Sequence, residues 1–173
     1  MRVQRTNKSG FTLVEILIVV IILGILAAIV IPQFTNASQD ARKSSLTSQL
    51  QTMRSQIELY KLQHVPTLPP GLTTVGTIVS ATAWKELTLA TDLNGTANVA
   101  GKYGPYLQSA PVNPLNNSSD VKVVAADVAF GGASGCTTEG FIFNNVNGKI
   151  WASSSKFTKV YNESDPSAAT NDQ

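Results

Sequence analysis

The feature that most constrains the fold is an apolar run that extends without interruption from Phe11 to Ile31. Its only clearly polar residues are Thr12 and Glu15. As a helix the run would be about 31 Å long, which is the thickness of a bilayer's hydrocarbon core. Strands rarely exceed about ten residues, so the length favours a helix over a buried strand. The sequence therefore predicts one membrane-spanning helix over residues 11–31.

The segment before this run is short and basic. Arg2, Arg5 and Lys8 precede it without any acidic residue, which predicts a cytoplasmic N-terminus and an extracytoplasmic remainder. A secretory signal peptide would need an A-x-A-like site after the run, and none occurs over residues 24–41. A lipoprotein anchor would need a cysteine there, but the chain's single cysteine is Cys136. These patterns favour a helix that stays attached as a membrane anchor.

Glu15 is the residue that a plain anchor does not explain, because an ionised carboxylate deep in lipid is costly. It ends the stretch KSGFTLVE (residues 8–15), which resembles the class III signal of type IV pilins and of the pseudopilins of type II secretion. In that family a prepilin peptidase cleaves after the glycine and methylates the new terminal phenylalanine. The resemblance implies a leader over residues 1–10, cleavage between Gly10 and Phe11, N-methylation of Phe11 and a role for Glu15 in assembly.

The end of the apolar run carries two further residues that match the family. Pro32 removes a backbone donor and should kink the helix or let it end. Gly24 and Pro32 also stand where the family commonly has glycine and proline, which implies a helix kink. Beyond Pro32, apolar residues at alternating spacings of four and three predict an amphipathic helix over residues 32–64. Its stripe comprises Leu46, Leu50, Met53, Ile57, Tyr60 and His64.

No residue pattern in the chain predicts catalysis or a cofactor. Arg54 and Glu58 stand four residues apart and predict an ion pair on the helix surface. His64, the only histidine, lacks Cys or carboxylate partners at metal-ligand spacing and is predicted as a helix-end residue. Cys136 has no histidine near it in sequence and is predicted to be inert. With a net charge of +2 the chain has no nucleic-acid footprint, and we expect neither an enzyme nor a metal site.

Residues 65–161 predict a small β-rich domain, which opens with a proline-rich breaker at residues 64–71. The Asn-Gly pair at residues 147–148 predicts a two-residue type I′ hairpin that places Phe143 opposite Ala152. Residues 162–173 predict a disordered tail. Strands are predicted at 121–130, 140–145, 149–153 and 157–161. In the hairpin, one face carries Phe141, Phe143, Ile150 and Ala152 and should cover the helix stripe, while Ile142 and Trp151 point to the other.

The predicted fold class is α+β, with a long N-terminal helix packed on a small antiparallel sheet. Residues 103–107 (YGPYL) and 111–114 (PVNP) resemble the connector of major pseudopilins. Together with the signal, this resemblance implies a structural filament subunit, foremost the major pseudopilin of type II secretion. The alternatives left open are a type IV pilus subunit and a singly anchored periplasmic binding module. Major pseudopilins also carry a calcium site from late acidic residues, but Asp165 and Asp172 alone lie near this end, so the site is not carried over.

The resemblance also implies partners and a location. The partners are prepilin peptidase, copies of the same chain in a helical filament, minor pseudopilins and the inner-membrane assembly platform, with membrane lipid around the helix before assembly. The location is the inner membrane, crossed once, with the C-terminal domain in the periplasm, and then the filament.

Overall fold

The computed structural model describes residues 10–64, 67–76 and 78–172, so the leader residues 1–9 lie outside the described residues. The chain divides into two compact units, one ending at Ser38 and the other covering Gln39–Gln173. A single long helix, α1 (Leu13–Gln63), confirms the predicted N-terminal helix and is long and apolar enough to cross a membrane. The remaining elements are β1 (Ile78–Val79), α2 (Lys85–Thr88), β2 (Val121–Val124), β3 (Phe141–Asn144), β4 (Ile150–Ala152) and three short 3₁₀ turns.

The four strands form one sheet in chain order, and the arrangement confirms the α+β class. The sheet is mixed, however, and not antiparallel throughout as predicted. β1 pairs antiparallel with β2, and β3 pairs antiparallel with β4, but β2 and β3 run parallel. Residues 125–140 separate β2 from β3, and a connection of that length can return the chain to the same end of the sheet, as parallel pairing requires.

The hairpin between β3 and β4 differs from the prediction by two residues in register. Phe143 pairs with Ile150 and not with Ala152. The turn is longer than two residues: the Gly148 N–H donates to the Asn144 carbonyl at 2.9 Å, with Gly148 at a φ of 79°. A slip of one residue would reverse the faces of the strand, whereas a slip of two preserves them. The predicted division of side chains between the two faces is therefore retained.

The inner face of the sheet packs on the amphipathic half of α1, and this confirms the predicted helix-on-sheet core. Each predicted apolar member of the stripe is buried, and Tyr60 is completely so. Trp84 packs edge-on against Phe141, with ring centroids 5.6 Å apart. The core cluster includes Leu46, Leu50, Met53, Ile57, Tyr60, Phe141, Phe143, Ile150 and Ala152, while Ile142 and Trp151 join Cys136 and Val160 in a second cluster.

The predicted strand at residues 157–161 is reduced to isolated bridges, among them Ser153 to Val160. Residues 162–171, which we call the C-terminal loop, are predicted from composition to be a disordered tail, and in the structure they make specific polar contacts. Asn171 in this loop is completely buried. Composition alone gives no sign of these contacts, because they join residues that are distant in sequence.

One of these contacts replaces an ion pair expected within the helix. Arg54 binds both carboxylate oxygens of Glu163 at 2.6 Å, and it also donates to the Ile150 carbonyl at 2.7 Å. Glu58, its predicted partner, instead binds Lys61 at 2.9 Å. The guanidinium group therefore joins α1, β4 and the C-terminal loop, because its planar fork matches a carboxylate with two parallel bonds.

Candidate functional site

The candidate site lies at the start of α1, where Thr12 and Glu15 form a capping box. Thr12 Oγ1 accepts a hydrogen bond from the Glu15 N–H at 3.2 Å. Glu15 Oε2 in turn accepts hydrogen bonds from the Thr12 N–H and the Thr12 hydroxyl, each at 2.7 Å. These bonds satisfy donors that a helix N-terminus otherwise leaves unpaired. The carboxylate also lies at the positive end of the helix dipole, an arrangement that stabilises the start of the helix.

The capping box holds one side of the carboxylate and leaves the other side open. Both bonds from Thr12 reach Oε2, and within residues 10–172 as described no hydrogen bond reaches Glu15 Oε1. Sequence reasoning selected Glu15 and overlooked Thr12 as its partner. The signal was present, because T-x-x-E directly before an apolar run is the pattern of a capping box.

The helix that follows exposes an unusually large apolar surface. Every large hydrophobic side chain from Phe11 to Phe34 is at least 40% exposed, and Phe11 itself is 83% exposed. Monomeric soluble proteins rarely expose a continuous apolar surface of this extent, and such surfaces mark membrane or protein contacts. Glu15 therefore places a single carboxylate near one end of a surface that must be covered by lipid or by other helices.

Gly24 and Pro32 lie within α1, and neither ends it. A Cβ atom added to Gly24 would meet nothing within 4 Å, so the fold of this chain alone does not require glycine there. The helix continues through Pro32, which decides against the expectation that it might end there. Proline has no N–H, so the carbonyl of Ala28 loses its usual helical partner.

The far end of α1 carries a buried polar cluster. His64 is only 1% exposed, and its Nε2 lies 3.0 Å from both the Tyr106 hydroxyl and the Thr91 hydroxyl. The Tyr106 hydroxyl also donates to Gln63 Oε1 at 2.6 Å, and burial raises the pKa of Tyr106. His64 lies at the helix end, as predicted, but the cluster shows what it does there: it ties α1 to the connector that follows α2.

A second polar residue that sequence reasoning missed fixes the other end of this connector. Asn113 is completely buried and donates to the carbonyls of Gly140 and Ser153, each at 2.9 Å. Its Oδ1 accepts from the Leu115 N–H at 2.9 Å. The asparagine between the two prolines of the connector thus holds the connector against the start of β3 and the end of β4.

Comparison with known sequences connects the helix site to a family. The profile of the prokaryotic N-terminal methylation motif matches residues 5–31, which include Gly10, Phe11, Glu15 and Gly24. Type II secretion system core protein G of Escherichia coli K12 is 35% identical over 117 residues, which cover 66% of this chain and 72% of that relative. The chain belongs to the family of type II secretion system core protein G. It is a type IV pilin-like major pseudopilin, as the resemblance predicted.

Other members of the family match a shorter part of the chain. Core protein G of Pseudomonas aeruginosa is 39% identical over 71 residues, or 40% of this chain and 50% of that relative. The Vibrio cholerae protein is 34% identical over 68 residues, or 38% of this chain and 47% of that relative. The chain thus spans about half the length of these relatives. No solved structure matches it.

Family membership agrees with the apolar helix. A pseudopilin with one N-terminal apolar helix fits a single-pass anchor in the inner membrane. The relatives are named as core proteins of a secretion system and not as enzymes.

Proposed function

We propose that this pseudopilin is a filament subunit that assembles through α1 after its leader, residues 1–10, is removed. Prepilin peptidase cleaves between Gly10 and Phe11 and methylates the new Phe11 amine. The observation that carries the proposal is a lone carboxylate, Glu15, held by a capping box at the start of the exposed apolar first half of α1. A helix that served only as an anchor would gain from an apolar residue at this position.

The assembly step follows from the charges that cleavage creates. The Phe11 amine is positive and the Glu15 carboxylate negative, and each is costly in an apolar layer when it is alone. Pairing the amine of one subunit with the carboxylate of a neighbour relieves both desolvation costs together. Because Thr12 occupies Oε2, the open Oε1 is the oxygen that receives the neighbour's amine.

Gly24 and Pro32 have roles in the same assembly. The absence of a side chain at Gly24 allows a neighbouring helix to approach the backbone closely, as small residues do between membrane helices. Pro32 supplies a point at which α1 can bend when subunits pack, because one helical hydrogen bond is already missing there.

The proposed topology assigns each segment a compartment. The leader faces the cytoplasm, residues 11–31 cross the membrane and later form the filament core, and residues 32–64 carry the periplasmic domain, residues 65–161. The partners are copies of this chain, minor pseudopilins, the inner-membrane assembly platform and, before assembly, membrane lipid.

Intact-mass analysis tests the processing step. The chain is expressed with and without a prepilin peptidase and extracted from membranes. With the peptidase we expect a mass that lacks residues 1–10 and carries one added methyl group, and without it the full-length mass. Sheared fractions of cells that also hold the secretion apparatus should contain filaments of the cleaved chain. A mature end beyond Ile31 contradicts the proposal, as does a cleaved chain that stays monomeric in the membrane.

A further inference from the structure

The C-terminal loop of this chain does not have the chemistry of the calcium site that major pseudopilins carry. A calcium ion needs six to eight oxygen ligands at about 2.3–2.6 Å, with carboxylates among them. The two carboxylates of the loop are already bound to donors of the chain: Glu163 to Arg54, and Asp165 Oδ1 to the N–H and hydroxyl of Ser167 at 3.1 and 2.5 Å. Among the described residues no group of three or more His, Cys, Asp or Glu side chains could hold a metal.

Two acidic side chains between β2 and β3, Asp127 and Glu139, are engaged in the same way. Glu139 is 1% exposed, and its Oε2 accepts from the N–H groups of Thr137 and Thr138 at 2.7 and 3.1 Å. Asp127 binds Lys149 and accepts at 2.7 Å from the side-chain amide of Asn144. A metal ion would have to displace N–H or ammonium donors at each of these carboxylates, so their surroundings favour donors and not a cation.

The centre of the C-terminal loop is occupied by the side-chain amide of Asn171. Its Nδ2 lies 3.1 Å from the carbonyl oxygen of Pro166, 3.2 Å from that of Asp165 and 3.4 Å from that of Asn162. Its Oδ1 accepts from the Asn162 N–H at 2.6 Å, and its main-chain carbonyl accepts from the Ser155 N–H at 3.3 Å. Converging main-chain carbonyls are a common part of calcium sites, but here they converge on a nitrogen with two hydrogens.

We propose that Asn171 closes the C-terminal loop in place of a metal ion, so that this pseudopilin folds and keeps its loop without calcium. The amide supplies donors to the carbonyl oxygens that a cation would otherwise bind, and it needs no external ligand. The Arg54–Glu163 pair then fixes the closed loop to α1 and β4. Loop closure in this chain therefore depends on its own side chains and not on the ion concentration outside the membrane.

Thermal unfolding of the full chain in detergent micelles tests the proposal, with Trp84 and Trp151 fluorescence as the signal. We expect the same Tm in millimolar calcium and in excess chelator. Asn171→Ala removes the buried side-chain amide and leaves three partly buried carbonyls without its donors, so it should lower the Tm by about 5–10 °C under both conditions. Asn171→Asp preserves the shape and the acceptor oxygen but turns the donor into an oxygen. This variant should lose stability in chelator and recover it in calcium.

Three outcomes would overturn the proposal. One is a Tm of the unsubstituted chain that rises with calcium in a saturable way and falls in chelator. Another is an Asn171→Ala variant with unchanged Tm and with a C-terminal loop that limited proteolysis cuts no faster than before. The third is an Asn171→Asp variant that is equally stable with and without calcium, because the amide would then not occupy the place of a cation.

Discussion

The capping role of Thr12 and the charge of Glu15 can be separated by substitutions at these two positions. Thr12→Ala removes two hydrogen bonds of the hydroxyl, the one that it donates to Glu15 Oε2 and the one that it accepts from the Glu15 N–H. The bond from the Thr12 N–H to Glu15 Oε2 remains. Losing an N-cap side chain costs about 0.5–2 kcal/mol, typically about 1. A free energy of about 1 kcal/mol is a roughly fivefold change in an equilibrium constant. We therefore expect the subunit concentration needed for filament formation to rise about fivefold.

The matched variants separate this effect from the charge. Thr12→Ser retains the hydroxyl and should assemble like the unsubstituted chain. Glu15→Gln retains an acceptor for the capping box but has no charge for the neighbour's amine, so its cleaved subunits should remain in the membrane without filaments. Glu15→Asp retains the charge with a shorter reach and should assemble partly.

The assay is the yield of sheared filaments, measured beside the amount of cleaved subunit in the membrane. The ratio corrects for any effect of a substitution on the peptidase. Normal filament yield from cleaved Thr12→Ala subunits would show that the capping box does not prepare the carboxylate for assembly. Normal yield from cleaved Glu15→Gln subunits would show that the charge does not guide assembly.

Three further predictions concern the domain. Asn113→Ala leaves buried polar groups unpaired and should lower the free energy of unfolding of the domain by about 2–4 kcal/mol, as measured by chemical unfolding. The control Asn94→Ala, at an exposed position of the connector, should change it by less than about 0.5 kcal/mol. A chain without residues 1–33 should be soluble and unfold cooperatively. A chain without residues 1–70 should aggregate, because it also loses the part of α1 that covers the sheet. Cooperative thermal unfolding of this second chain would refute the packing of α1 on the sheet. Burial, with a smaller contribution from the charge of Glu139, raises the pKa of the Cys136 thiol to about 11. An alkylating reagent should therefore label Cys136 at neutral pH only after the chain unfolds. Rapid labelling of the folded chain would refute the burial of Cys136.

Local patterns in the sequence were sufficient for the helix and for the faces of the hairpin. The stripe from Leu46 to Tyr60 repeats with the helical period, and every member is buried as expected. The faces of β3 and β4 survived an error of two residues in the register, because the period of a strand is two. The turn itself was misjudged, since an Asn-Gly pair fits positive φ angles in turns of more than one length.

Contacts between residues far apart in sequence account for what the sequence did not reveal. The parallel pairing of β2 and β3 depends on the path of the chain between them, which composition does not encode. Arg54 has an acidic residue four positions away, yet it pairs with Glu163, because the fold brings a carboxylate within reach in the geometry that a guanidinium prefers.

By itself the sequence determined the apolar N-terminal helix, the N-terminal methylation motif and the pseudopilin family to which the chain belongs, because all of these depend on residues that are neighbours in the chain. The tertiary structure decided how the domain is closed. It places the amide of Asn171 among three main-chain carbonyls and joins Glu163 to α1. The physical reason is that a buried hydrogen-bond network is satisfied only when its members converge in space, and spacing along the chain gives no measure of that convergence.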